Sequence, residues 1–208
     1  MTDNPKRPSL GVVLLAAGPS SRLGQPKQLV EVGGESLVAR SARLALALQP
    51  AQLTVVSGCE AERVAAELDG MAADIVFNRN WASGMGSSIN YGVRSLVPGM
   101  SGVLLMVCDQ WRLEAADLER LVAAWLCDPS RIYVASWKEG AAQVSGPPVV
   151  FPGRLIPELK SMQEQRGARQ LIDRYIDIVE FEEMENAGFD LDRPEDLEFL
   201  SAQQQERL

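Results

Sequence analysis

The 208 residues suffice for one α/β domain with a substantial core, and 46% hydrophobic with 23% charged residues is ordinary for a globular chain. A net charge of −8, from 28 acids and 20 bases with no basic stripe, argues against a nucleic-acid-binding surface. The complete absence of histidine excludes Ser-His-Asp and Cys-His catalysis, histidine-held metals and histidine phosphorelay. Any chemistry must therefore use carboxylates, lysine, arginine, hydroxyls, backbone or a hard metal.

Residues 1–9 are polar, contain Pro5 and Pro8, and lack the apolar core of a signal peptide, so they are expected as a loose arm on a cytoplasmic protein. No apolar run approaches the length of a membrane span. Leu10–Ala16 reads as a first buried strand. A helix is predicted over 36–48, with Leu37, Leu44 and Leu48 at helical spacing and Pro50 as its stop. There follow a strand at 53–57, a helix at 60–68 ended by Gly70, a strand at Asp74–Phe77 and a helix at 86–97 ended by Pro98 and Gly99. Gly102–Val107 is a fourth buried strand. A helix at 113–126, a strand at 132–136 and a short strand at 149–151 come next. Residues 137–148 form the least regular stretch, a loop or hairpin over the site. Helical segments are predicted at 153–161 and 167–175, a late strand at 176–181 and a last helix at 195–203, with 204–208 as a tail.

Strands alternating with helices predict a mostly parallel sheet covered on both faces, one domain over 10–203. Ligands in such folds bind beyond the carboxyl ends of strands, where strand order reverses, which directs attention to Ala17, Asn78 and Cys108 onward. Cys59, Cys108 and Cys127 are far apart and in apolar surroundings, as reduced structural thiols would be.

After the first strand comes Leu15-Ala16-Ala17-Gly18-Pro19-Ser20-Ser21-Arg22-Leu23-Gly24-Gln25-Pro26-Lys27. Small residues let a ligand approach the backbone, Gly18 and Gly24 permit positive φ, and Arg22 and Lys27 supply fixed charge for phosphate. The string is neither a Walker A loop nor a dinucleotide fingerprint. Asp109 emerges at the ligand edge of the sheet after Gly102–Val107. Asp190 and Asp192 alternate ahead of the last helix and so face the same way in an extended segment. Magnesium bridging a triphosphate needs one or two carboxylates plus water. The other readings are helix capping by Asp109 and a helix-start role for Asp192. In Asn78-Arg79-Asn80-Trp81-Ala82-Ser83-Gly84-Met85-Gly86-Ser87-Ser88, the glycines open a helix whose first N–H groups suit an anion, and the serines add hydroxyls. Trp81 also reads as a packing anchor. Arg166 and Arg169, in Arg166-Gly167-Ala168-Arg169, read either as phosphate holders or as solvated helix-start arginines.

These strings resemble the MobA-like NTP transferases among the sugar-nucleotide pyrophosphorylase-like nucleotidyltransferases, especially their molybdenum-cofactor cytidylyltransferase branch. The resemblance runs from Val12 to Leu197. It implies a Rossmann-like three-layer α/β/α (GT-A-like) fold with a mixed sheet. It also implies transfer of CMP from CTP to Mo-molybdopterin with release of pyrophosphate, and a molybdoenzyme as recipient of the product. By resemblance, Asp109 and Asp192 hold Mg2+, with Mn2+ as a substitute, while Asp190 is a weaker candidate. Lys27 and Arg22 hold phosphate. Leu15, Ala16, Ala17, Gly18, Ser20, Ser21 and Gly24 surround the nucleotide, as do Asn80, Gly84, Met85, Ser87 and Ser88, whose segment touches base and ribose. Pro147, Arg166 and Arg169 lie on the acceptor side. Two positions depart from the pattern: Trp111 follows Gln110 where the family usually has proline, and Pro147 stands where the branch commonly has histidine. A sugar or alcohol phosphate as acceptor, GTP as donor, and a non-catalytic module that binds nucleotide or delivers the cofactor are the alternatives. A dinucleotide-binding oxidoreductase lacks its glycine pattern here.

Overall fold

The computed structural model describes residues 8–162 and 167–205. Arg166, most of the expected N-terminal arm and the last three residues of the tail lie outside them. Of the arm, Ser9 is tied in: its N–H donates to Ser101 Oγ (3.1 Å) and its carbonyl accepts from Ser101 N–H (2.8 Å).

In chain order the elements are β1 (Leu10–Ala16), β2 (Glu31–Val32), β3 (Glu35–Ser36), α1 (Leu37–Ala47), β4 (Gln52–Ser57), α2 (Ala61–Glu67), β5 (Asp74–Phe77), α3 (Met85–Ser95), β6 (Gly102–Val107) and α4 (Ala115–Cys127). Then come β7 (Ile132–Glu139), β8 (Ala142–Pro152), α5 (Ile156–Leu159), α6 (Arg169–Arg174), β9 (Val179–Glu183) and α7 (Pro194–Gln205). Seven strands form one sheet in the order β5-β4-β1-β6-β8-β7-β9, with β8 antiparallel to both of its neighbours and the other pairs parallel.

Strand alternation builds the three layers. From β1, Val12, Leu14 and Ala16 pack with Val38 and Ala42 of α1, Val64 of α2 and Leu118, Leu121 and Trp125 of α4. Val13 and Ala17 face the other way, toward Ile89 and Val93 of α3, Leu159 of α5 and Ile172 of α6. Gly92 lets α3 lie against the sheet, because a Cβ there would sit 2.7 Å from Val56 Cγ2. A third cluster, Leu23, Leu37, Trp111, Leu191 and Leu200, fastens α7 to the loop after β1.

Several elements differ from expectation. The segment at 176–181 is not one strand: Ile176–Ile178 is a 3-10 turn, and β9 begins at Val179. The helix at 153–161 is a 3-10 turn followed by four α-helical residues, and that at 167–175 is shortened to α6. Of the two alternatives for residues 137–148 the β7–β8 hairpin is the one formed, but β8 is far longer than the predicted 149–151. Its ladder shifts between Val134 and Ala135, opposite Pro147 and Pro148, which have no N–H to donate. The β2–β3 hairpin escaped prediction, although Gly33 (φ 65°) and Gly34 (φ 82°) make a two-residue turn that needs positive φ. Cys108 is buried as expected, but Cys59 and Cys127 are exposed.

Candidate active site

From β1 the chain runs to β4 and β5 on one side and returns to β6 on the other. The carboxyl ends of β1 and β6 therefore flank a topological switch point. A cleft of about 380 Å³ opens there. Leu15 to Pro19, Lys27 and Gln28 wall it on one side, Trp81, Gly84, Met85 and Ser88 on the other, and Val107 to Asp109 form its floor.

Gln28 shapes the loop, a role the sequence did not disclose. Almost fully buried, it donates from Nε2 to the carbonyls of Ala16 (3.1 Å) and Gly18 (2.6 Å). Its Oε1 accepts from Ser20 Oγ (3.3 Å), which in turn accepts from the N–H of Lys27 (3.0 Å). Ser20 takes φ 53° to close this ring of bonds. The loop is thereby pinned, and the Lys27 side chain reaches the cleft floor. Ser21, Arg22 and Gly24 lie on the exposed outer part of the loop.

Asp109 follows β6, and residues 189–191 pair beside it: Trp111 N–H donates to Phe189 O (3.3 Å) and Leu191 N–H to Asp109 O (3.0 Å). This short ladder brings Asp190 and Asp192 to the end of β6. Lys27 Nζ ion-pairs with Asp109 and, at 2.8 Å, with Asp192, while Arg22 reaches the other oxygen of Asp192 at 3.2 Å. Neither aspartate caps a helix. Glu114 and Asp117 form the capping box of α4, and Asp196 accepts from the N–H groups of Asp192 (2.9 Å) and Arg193 (2.8 Å) at the start of α7. Both carboxylates are thus left for the cleft.

The charges shift one another. Burial works to lower the pKa of Lys27, but Asp109 and Asp192 outweigh it and hold the ammonium well above its usual range. The hydrogen bond from Lys27 holds the Asp192 carboxyl below its ordinary value. Asp190 exposes part of its surface, yet the protein mass around it strips hydration. With the like charges of Asp109 and Asp192 added, its carboxyl is pushed up to about 7. Asp109 Oδ1 is buried without a hydrogen-bond partner, a costly state for a carboxylate oxygen. This orphaned oxygen, with Asp192 and Asp190 alongside, suits a hard cation that takes one or two protein carboxylates and completes its shell with water and phosphate. Among the described residues no group of three or more acidic, cysteine or histidine side chains makes a ready cage.

On the opposite wall, Gly84 (φ 125°) starts α3. Asn78, buried and unassigned from sequence, donates to Ser87 Oγ (2.9 Å) and Ser88 Oγ (3.0 Å) and accepts from the N–H of Asn80 (2.9 Å). An asparagine closing a turn two residues on is the signal that was available. Ser88 lines the cleft, whereas Ser87 donates to the carbonyls of Asn80 (3.0 Å) and Gly84 (2.9 Å) and braces the turn. Asn80 itself is exposed. Trp81 lines the cleft and also packs on the α3-side core.

Beyond Leu15, Met85 and Val107 a second hollow of about 290 Å³ continues from the first, lined by Pro147 and Arg169 among others. The Pro147 carbonyl accepts from Gln110 Nε2 (2.7 Å), which also donates to Ala187 O (2.7 Å). Arg169 pairs with Asp173 (3.0 Å) and leans on Ser145 Oγ (3.4 Å). Trp111 is a packing anchor, edge-on to Phe189 and Phe199 (6.2 Å each).

A family model, the MobA-like NTP transferase domain, matches residues 12–179. The chain belongs to this family. Among its relatives, nicotine blue oxidoreductase of Paenarthrobacter nicotinovorans is 30% identical over 91% of this chain and 95% of its own. Purine catabolism protein PucB of Bacillus subtilis is 30% identical over 80% and 82%. Rv0371c of Mycobacterium tuberculosis shares the fold (TM-score 0.78, 24% identity, 93% and 98% coverage), and so does its manganese complex (TM-score 0.75, 23%, 92% and 97%). So too does the CMP:2-keto-3-deoxy-manno-octonic acid synthetase complexed with CTP (TM-score 0.73, 15% identity, 96% and 100% coverage). The family makes this chain a nucleotidyltransferase-type enzyme with the mixed-sheet α/β fold expected of it. No described helix is long and apolar enough to cross a membrane.

Proposed function

We propose that this protein transfers CMP from CTP to the phosphate of a small acceptor, Mo-molybdopterin, in the cytoplasm, releasing pyrophosphate and passing the dinucleotide cofactor to a molybdoenzyme. The observation that carries this reading is the meeting of Lys27 with Asp109 and Asp192 at the switch-point cleft. An acceptor phosphate oxygen attacks the α-phosphate in line. No side-chain base is needed when that phosphate is already ionised, which suits a chain without histidine. Lys27 and Arg22 exchange carboxylate partners for phosphate oxygens as the triphosphate enters. The pinned backbone from Ala16 to Gly18 holds the nucleotide close, and α3 presents its first N–H groups beside Gly84 and Met85. Asp109 and Asp192, with Asp190 next to them, would hold Mg2+ or Mn2+. Held there, such an ion would supply positive charge for the triphosphate and its leaving group.

Purified protein incubated with magnesium, Mo-molybdopterin and each NTP in turn should release pyrophosphate with CTP alone. Release with GTP keeps the mechanism and changes the base. Release only with a sugar or alcohol phosphate changes the acceptor. Nucleotide binding without any release supports a delivery module. One finding favours a second reading: the relative named nicotine blue oxidoreductase aligns along nearly the whole chain. Failure of every transfer assay, together with reduction of nicotine blue by the purified protein and an added reductant, would move the assignment there.

A further inference from the structure

We infer that a third hollow, between the β2–β3 hairpin, α1 and the segment after β6, is a separate binding site for the phosphate group of a small molecule. Nothing in it depends on the transferase reading. The hollow measures about 500 Å³, more than the cleft or the hollow beside it, and is of the size that takes a small ligand. It shares no lining residue with the switch-point cleft. The chain after β6 passes from one to the other: Asp109 lines the cleft, while Trp111 and Arg112 line the third hollow.

The wall carries three arginines, Arg40, Arg43 and Arg112, against two acids, Glu35 and Glu114. On a chain of net charge −8 this is a local reversal of sign. Both acids are already committed. Glu35 accepts from Nε (3.0 Å) and Nη2 (2.8 Å) of Arg43, and the Glu114 side chain accepts the N–H of Asp117 in the capping box of α4. That fork fixes Arg43 and leaves its Nη1 over. Arg112 is held differently. Its guanidinium carbon lies 3.8 Å from the ring centroid of Phe189, 4.8 Å from that of Trp111 and 5.2 Å from that of Phe199. A guanidinium stacked by its face is oriented yet keeps its edge of N–H donors, and no described residue accepts from that edge. Arg40 secures the wall itself, donating to the carbonyls of Trp111 (3.3 Å) and Leu113 (2.7 Å). Two preset guanidinium groups with donors to spare suit the several oxygens and double charge of a phosphate better than one carboxylate.

The test is a nitrogen-15 NMR titration of the full chain, free of nucleotide and metal, at constant ionic strength and pH 8. The probes are inorganic phosphate and glycerol 1-phosphate. Saturating shifts centred on the amides of Gly33 and Arg112 are expected with either probe. Tighter glycerol phosphate identifies a monoester as the ligand, and equal affinities identify the free ion. Arg112→Gln and Arg43→Gln should each weaken binding by roughly tenfold, and Lys27→Met should leave it as it was. Shifts that rise without saturating would overturn the inference, as would shifts centred on Gly18 and Lys27 alone. So would unchanged affinity in both arginine variants, or disappearance of the Gly33 and Arg112 shifts in Lys27→Met. The map on the unmodified chain stands even if a variant does not fold.

Discussion

On the side of the cleft proposed for the nucleotide, polar side chains are spent on holding the backbone: Gln28 and Ser20 close the loop after β1, and Asn78 ties Ser87 and Ser88 to the turn before α3. On the side proposed for the acceptor the wall is largely aliphatic, and Gln110 bonds to Pro147 and Arg169 pairs with Asp173. A triphosphate carries the same charges in every substrate, so a rigid frame of donors can be built for it in advance. An acceptor's body carries no such fixed pattern of charge, and shape with desolvation is a means of choosing it. The cluster of Lys27, Asp109 and Asp192 stands where the two sides meet.

Breaking the frame should cost most. Lys27→Met is expected to lower turnover by about 10²–10³-fold, the usual loss for one preorganised charge stabiliser, with circular dichroism unchanged. The same variant should bind Mn2+ more tightly than the parent in the absence of nucleotide, by electron paramagnetic resonance titration, because the ammonium no longer occupies the carboxylates of Asp109 and Asp192. Weaker Mn2+ binding by Lys27→Met would show that these carboxylates do not form the metal site.

Next in size is Gln28→Ala, which leaves the carbonyls of Ala16 and Gly18 without their donor. A loss of about 1–3 kcal/mol in chemical denaturation is expected, with CTP KM raised more than that of the acceptor. An equal rise in both would mean that the loop serves the whole cleft rather than its nucleotide half.

Asp190→Asn should act through pH. The raised pKa means that the folded chain keeps a proton the unfolded chain releases from 3.8 upward. The associated stability is present below 3.8 and lost as pH rises through about 7. With chelator present, the variant should melt about 2–4 °C above the parent at pH 8, with the gain fading toward pH 4. Arg169→Ala, at an exposed ion pair, should change stability least, by about 0–1 kcal/mol, while altering acceptor KM without touching CTP KM.

Much of the frame could be read along the chain. The uninterrupted apolar run Leu10–Ala16 is an inner strand between β4 and β6, and Ser36 ahead of the leucines of α1 accepts from Ala39 N–H (3.4 Å) as a cap should. The hairpin at Gly33-Gly34 was missed because two-residue strands leave no alternation to detect. Irregular patterning left 137–148 as a loop or hairpin, and a shift in the ladder opposite Pro147 and Pro148 let β8 continue past them. Gln28 and Gln110 gave no signal of importance, because an amide's role depends on which carbonyls and hydroxyls the fold brings to it. Trp111, a departure from the family pattern, proved to be a hydrophobic anchor for α7.

Local order along the chain was enough to name the phosphate-friendly loop, the candidate carboxylates and the alternation that makes a covered parallel sheet. Those properties depend on residue type and short spacing. It did not contain the pairing of Lys27 with Asp109, 82 residues away, or with Asp192, 165 residues away. Nor did it contain the hollow between α3 and α6. Strand order and the packing of helices on the two faces create both. Burial of apolar surface drives that packing, and such burial has no direction of its own until the chain has chosen its neighbours.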